Sequence, residues 1–188
     1  MLGRYGRHSD TGCENPGDLV PRAAGPFNYP AELVPSASGD LYVADGYRNA
    51  RVHRFSNDGQ LKKSWGEPGK QGPNEFHLPH SLLVDGDNVV VCDRENDRIQ
   101  VFSLDGEFKE IWDDIQRPMD ISMDTEGNYM VSEGQRDNSS RVSILDKKGN
   151  VLSRFNCRGS GHGSWIDSRG DIYLGGVPEA IDKYVRQN

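Results

Sequence analysis

Three nine-residue stretches constrain this chain more than anything else in it: RVHRFSNDG from Arg51, RIQVFSLDG from Arg98 and RVSILDKKG from Arg141. Each opens on arginine, alternates apolar with polar side chains and reaches a turn glycine eight positions on. Alternation at period two is the pattern of a strand with one buried face. The arginines stand 47 and 43 residues apart. Recurrence at such an interval marks a repeat architecture, in which each unit buries its apolar face on the next.

A second series runs in step: GDLYVADG from Gly39, GDNVVVCD from Gly86, GNYMVSEG from Gly127 and GDIYLGG from Gly170. An apolar run entered from a loop precedes each one (YPAELV, LPHSLLV, RPMDISM, GHGSWI), and QLKKSWG, EFKEIWD or NVLSRFN follows the first three Arg-led runs. The 22 glycines and 10 prolines fall between these runs as turn punctuation. Each unit therefore reads as four short antiparallel strands. At about 40–45 residues such units have the size of β-propeller blades. An all-β propeller is predicted, with a β-sandwich as runner-up.

The expected layout is one domain over 1–188: a strand remnant and loop at 1–24, blades at 25–71, 72–116 and 117–158, and an incomplete blade at 159–188. That last unit shows strands at Gly163–Asp167, Asp171–Leu174 and about Ile181–Val185, without a fourth, while MLGRYG at the N-terminus reads as the tail of a fourth strand. Two arrangements follow. Either the N-terminal residues close a ring of four, or the chain is part of a larger propeller whose open blade edges pair with another chain or copy.

A net charge of −7 with scattered lysines and arginines gives no footprint for a phosphate backbone, so nucleic acid is not expected as a partner. No apolar run approaches the roughly 18 residues of a membrane span, and no signal-peptide core is present near the start. A soluble protein of unassigned compartment is expected. Cys13, Cys92 and Cys157 are widely spaced and odd in number, which suggests ordinary thiols rather than a disulfide framework or zinc knuckle.

The loops around a propeller's channel are where ligands gather. The residues heading the four innermost strands are Ala31, His80, Met119 and His162, so histidine occupies alternate blades. Two imidazoles at equivalent positions suit a metal on the axis, and zinc is the candidate. His77, His53 and His8 lack such partners. After the second strand, ADGYRNAR, CDRENDR and SEGQRDNSSR each place an acid ahead of the repeat arginine. Asp45, Asp93 and Asn96 are expected to cap these loops, and Arg51, Arg98 and Arg141 to pack between strands. Tyr47 and Arg94 break the repetition and are the catalytic candidates: a tyrosine beside a cation suits a base, and a guanidinium fork suits a carboxylate.

DGYRNARVHRFSNDGQLKKSWGEPG, LPHSLLV and CDRENDRIQVF together resemble the NHL-repeat propeller of the peptidyl-α-hydroxyglycine α-amidating lyase (peptidylamidoglycolate lyase) family, over about residues 25–185. The resemblance implies a six-bladed propeller with an axial zinc held by three histidines, cleaving an α-hydroxyglycine peptide to a peptide amide and glyoxylate. It implies His80 and His162 as two of the ligands and Tyr47 as the base for the substrate hydroxyl. Arg94 would support the tyrosinate or hold the carboxylate. The family's first blade, with the third histidine and a substrate-binding arginine, has no counterpart in this sequence. Two other classes stay open: a non-catalytic NHL scaffold that binds a protein or peptide, and a calcium-dependent lactonase-like hydrolase drawing on Asp45, Asp93, Asn96 and Glu133.

Overall fold

The computed structural model describes residues 2–136, 139–159, 161–176 and 180–187. Met1 of MLGRYG, and Asp137 and Asn138 of SEGQRDNSSR, lie outside them. The described chain is all-β. Blade one comprises β1 (Glu32–Pro35), β2 (Leu41–Asp45), β3 (Arg51–Phe55) and β4 (Leu61–Trp65). A two-residue parallel pair, β5 (Glu67–Pro68) with β6 (Glu75–Phe76), sits in what the sequence shows only as a Gly-Pro-containing loop.

Blade two comprises β7 (Pro79–Asp85), β8 (Asn88–Asp93), β9 (Arg98–Ser103) and β10 (Phe108–Trp112), and blade three β11 (Pro118–Met123), β12 (Tyr129–Glu133), β13 (Ser140–Leu145) and β14 (Val151–Cys157). The fourth sheet has β15 (Gly163–Ile166), β16 (Ile172–Gly176) and β17 (Ala180–Tyr184). Each of the four blade sheets is a meander of consecutive strands, the blade pattern rather than the crossed connections of a sandwich.

Residues 2–31 contain no strand, so the reading of MLGRYG as a strand tail is corrected for its described part. This segment lies along blade one instead. The Thr11 hydroxyl donates to the Arg48 carbonyl at 2.6 Å, and Asn28 Nδ2 donates to the Ser9 carbonyl at 3.0 Å. Its side chains are too polar to form an alternating apolar face, and its backbone finds partners in loops.

By contact the chain divides into two compact units, Met1–Ile111 and Trp112–Asn188. In the first, Tyr42, Ala44, Val52 and Trp65 of blade one pack with Leu82, Val89, Val91 and Phe102 of blade two. In the second, Met130 and Val142 pack with Ile166, Ile172 and Leu174. The turn glycine of the Arg-led run has a double duty within each unit. Gly106 and Gly149 both have φ of 79°, which an L side chain resists. A Cβ there would also fall 2.6 Å from the Trp65 ring and 2.3 Å from the Trp112 ring, respectively. The indole that ends an outer strand thus lies flat against a turn that no larger residue fits.

Each of the first three blades is closed by a buried carboxylate at the end of its second strand: Asp45, Asp93 and Glu133, all fully buried. Each accepts the backbone N–H of the residue three places before the innermost strand's head: Asn28 at 3.0 Å, His77 at 2.8 Å and Gln116 at 2.6 Å. Each also accepts from the second residue after the repeat arginine, namely His53 Nε2 at 3.2 Å, Gln100 Nε2 at 3.1 Å and the Ser143 hydroxyl. In blades two and three the repeat arginine joins, with Arg98 Nε 2.8 Å from Asp93 and Arg141 Nε 2.9 Å from Glu133. In blade one Arg51 turns outward to Glu67, and Asn49 Nδ2 takes a place on Asp45 at 2.9 Å. A buried charge is tolerated only when paired and hydrogen-bonded, and these latches meet that demand.

Burial pushes the Asp93 carboxyl up to about 6 against the opposing pull of Asn96, Arg98 and the His77 N–H. The folded value lies above the unfolded one, so this latch stabilises fully below about pH 4 and loses its contribution as pH rises through about 6. Accordingly, the unfolding free-energy difference between wild type and Asp93→Asn, measured by urea denaturation from pH 4 to pH 7.5, is expected to narrow with rising pH. Gly106→Ala is expected to cost about 2–4 kcal/mol in the same assay, combining left-handed strain with overpacking. Gly86→Ala, whose Cβ would meet nothing within 4 Å, is the control and should cost only about 1 kcal/mol.

Candidate active site

The strand registers place the four head residues in equivalent positions. Glu32 pairs Ala44, Ser81 pairs Cys92, Asp120 pairs Ser132 and Gly163 pairs Gly175, and the residue ahead of each is Ala31, His80, Met119 or His162. Blade two counts differently in sequence because Asp85 pairs Asn88 across a two-residue Gly86-Asp87 turn, shorter than the others. His80 and Met119 sit at register shifts, where a bulge turns a side chain out of the regular alternation.

The loop after β2 brings Tyr47 to His80. Asp45 anchors its start through the latch. A Cβ on Gly46 would fall 2.1 Å from the Pro79 carbonyl oxygen, so only glycine lets this loop rest on the backbone next to His80. The Tyr47 N–H donates to the Tyr29 carbonyl at 3.3 Å, and the Gly17 N–H donates to the Tyr47 carbonyl at 2.8 Å. With the backbone so held, Tyr47 Oη lies 3.0 Å from His80 Nε2, the two rings edge-on with centroids 5.4 Å apart. His80 is 5% exposed, while Tyr47 is half-buried at the surface.

Arg94 supplies the cation. It opens a single 3-10 turn, Arg94–Asn96, and its N–H donates to the Leu78 carbonyl at 3.1 Å. Tyr29 and Leu78 each stand two residues before a strand head, so Tyr47 and Arg94 occupy the same post-strand place in neighbouring blades. The extra Gly46 hides that correspondence in the sequence. The Arg94 guanidinium carbon is 5.5 Å from the Tyr47 ring centroid, within reach of a cation–π attraction. Its Nε donates to Glu95 Oε1 at 2.8 Å. Glu95 and Gly46 were not singled out from the sequence; the adjacent Arg-Glu pair was visible there, but nothing local reveals the approach of Gly46 to Pro79.

The first unit thus gathers Tyr47, His80 and Arg94 in one cluster. His162 belongs to the second unit, directly ahead of β15, with its side chain exposed. Among the other histidines, His77 Nε2 lies 3.1 Å from the Gly17 carbonyl and its ring is pushed to a lower pKa by burial, His53 is part of the Asp45 latch, and His8 lies on the surface. Cys13 and Cys92 are buried free thiols, and Cys157 is a half-buried one. The oxygens of Asp45, Asp93 and Glu133 are engaged by the latches, and Asn96 Nδ2 donates to Asp93 at 2.8 Å. No three His, Cys, Asp or Glu side chains converge as a metal cluster among the described residues. Those residues therefore do not complete the three-histidine zinc centre that the resemblance implies. Among them also, no helix is long and apolar enough to cross a membrane.

Meandering blades with a polar cluster at their loop ends define a β-propeller protein. A family model described as a 6-bladed beta-propeller matches residues 31–156, and the chain belongs to that family. It is 39% identical over 67 residues to the "Probable peptidyl-alpha-hydroxyglycine alpha-amidating lyase pgal-1" of Caenorhabditis elegans, covering 35% of this chain and 19% of that protein. It is 30% identical over 138 residues to "Protein brain tumor" of Drosophila melanogaster, covering 71% of this chain and 13% of that one. Among solved structures, Kuenenia stuttgartiensis hydrazine synthase superimposes with a TM-score of 0.68 at 14% identity, over 97% of this chain and 49% of that chain, a likeness of fold alone. The chain spans less than a fifth of the length of these curated relatives.

Gly46→Ala is expected to push the loop off Pro79, costing about 1–3 kcal/mol and separating Tyr47 from His80. Loss of the ring-current perturbation on the His80 imidazole protons in NMR spectra would report that separation; an unchanged His80 environment would show that Gly46 does not set it.

Proposed function

We propose that this propeller carries an amidating-lyase-like site that acts on a peptide ending in α-hydroxyglycine. The contact between Tyr47 Oη and His80 Nε2 at 3.0 Å carries this reading. Hydrogen-bond reach between a phenol and an imidazole is the geometry of a proton relay. With the tautomer that leaves Nε2 bare, the phenolic proton moves to His80 as Tyr47 Oη takes the substrate's hydroxyl proton. The hydroxyl oxygen then forms the carbonyl of glyoxylate, the carbon–nitrogen bond breaks, and the amide nitrogen receives the proton returned through Tyr47. Atoms and charge balance without a further reactant. Arg94, its guanidinium carbon 5.5 Å from the Tyr47 ring centroid, offers its terminal nitrogens to the substrate carboxylate. No step is routed through a metal.

The partial similarity to amidating lyases supports this reading. Glyoxylate release from a synthetic α-hydroxyglycine peptide tests it, alongside zinc and calcium analysis of the purified protein. Wild type is expected to release glyoxylate, and Tyr47→Phe to lower kcat by about 10²–10⁴-fold while the fold is retained. No release from wild type, with or without added zinc, overturns it.

A further inference from the structure

Next to Tyr47 stands a cation with no acidic partner. Arg48 is half-buried and among the described residues takes part in no ion pair, although the chain as a whole carries a net charge of −7 and Arg54, Arg98 and Arg141 each meet a carboxylate. Its Nη2 donates to the carbonyls of Cys13 and of Glu14, the latter at 3.3 Å. Its Nε is shielded from solvent and has no acceptor. The guanidinium carbon lies 5.5 Å from the ring centroid of Tyr29, a side chain 57% exposed. The position itself recurs in the fold. Arg48 N–H donates to the Asn28 carbonyl just as Glu95 N–H donates to that of His77, and Glu95 there accepts from Arg94 Nε at 2.8 Å. Blade one therefore has Tyr29 and Arg48 where blade two has Leu78 and Glu95.

Tyr29 has φ of 58°, but so do its equivalents Leu78 at 66° and Arg117 at 38°, so the left-handed backbone belongs to the blade and not to a ligand site. What differs is the side chain: Leu78 is buried in the first unit's core, whereas the Tyr29 ring faces solvent. A flat, exposed ring under an uncompensated guanidinium is a surface that takes a carboxylate on the cation and its methylenes on the ring.

We propose that Arg48 and Tyr29 form a subsite for an acidic side chain of the peptide ligand, one place along the loop from Tyr47. The proposal rests on the peptide reading above and adds a selectivity that reading does not require. Arg94 serves the reacting end, and Arg48 a second carboxylate upstream of it.

Two peptides differing only by Glu or Gln at the residue before the terminal glycine test this, by fluorescence anisotropy with wild type, Arg48→Gln and Arg48→Lys. Wild type should bind the Glu peptide about tenfold more tightly or better, as expected for a charge-assisted hydrogen bond. Arg48→Gln should abolish the preference and Arg48→Lys should retain part of it. Because Arg48 also tethers the N-terminal segment, the wild-type Arg48 Nε–Hε resonance gives a second measurement. It should shift with the Glu peptide and not with the Gln peptide. Equal binding of the two peptides by wild type, an unmoved Nε–Hε signal, or a preference that survives Arg48→Gln overturns the subsite. Selectivity without glyoxylate release sinks the lyase reading alone, and release without selectivity sinks the subsite alone.

Discussion

The carboxylate latch at the end of the second strand in each of the first three blades is the interaction on which the rest of this structure depends. Asp45, Asp93 and Glu133 are removed from water and then surrounded by donors from the loop before their blade and from the third strand. One group thus fixes three pieces of chain at once. Because a buried carboxylate without its donors is strongly unfavourable, the loop entering each blade has little freedom in where its backbone N–H points. The three residues after that N–H are the left-handed residue, the proline and the strand head.

The candidate site is a consequence of that constraint. His80 heads β7 at a fixed distance from the Asp93 latch, and Tyr47 follows Asp45 by two residues. Each catalytic candidate is therefore held from behind by a latch of its own blade, and their meeting depends on how blade one rests on blade two. Gly46 against Pro79 is that point of contact. Catalytic groups placed on loops but anchored to a rigid sheet are the arrangement by which repeat folds support chemistry.

Much of the fold was legible in the sequence because its cause is local. Alternating apolar residues, an arginine and a turn glycine at a repeated interval give strands and hairpins wherever they occur, and strand positions in the fourth sheet fall within a residue or two of those expected. The short hairpin of blade two was also visible, as a skip of one residue at VDGDN. The N-terminal segment was misread because Leu2-Gly3-Arg4-Tyr5 matches a strand tail in composition alone, while its docking on blade one comes from scattered hydrogen bonds. His53 looked isolated because its equivalents are Gln100 and Ser143. The latch needs a donor at that position, and three different side chains supply one.

The sequence by itself determined the repeat, the all-β blades, and the choice of Tyr47, His80, Arg94 and His162 as candidate residues, since periodicity and departures from it are properties of a linear pattern. Only the tertiary structure decided that Tyr47 and Arg94 occupy the same place in neighbouring blades, that Tyr47 Oη reaches His80 Nε2, and that the Arg48 guanidinium lies over the Tyr29 ring. Those facts depend on distances between segments tens of residues apart. They are set by the packing of one sheet on the next and by a single glycine against a carbonyl, which no local pattern encodes.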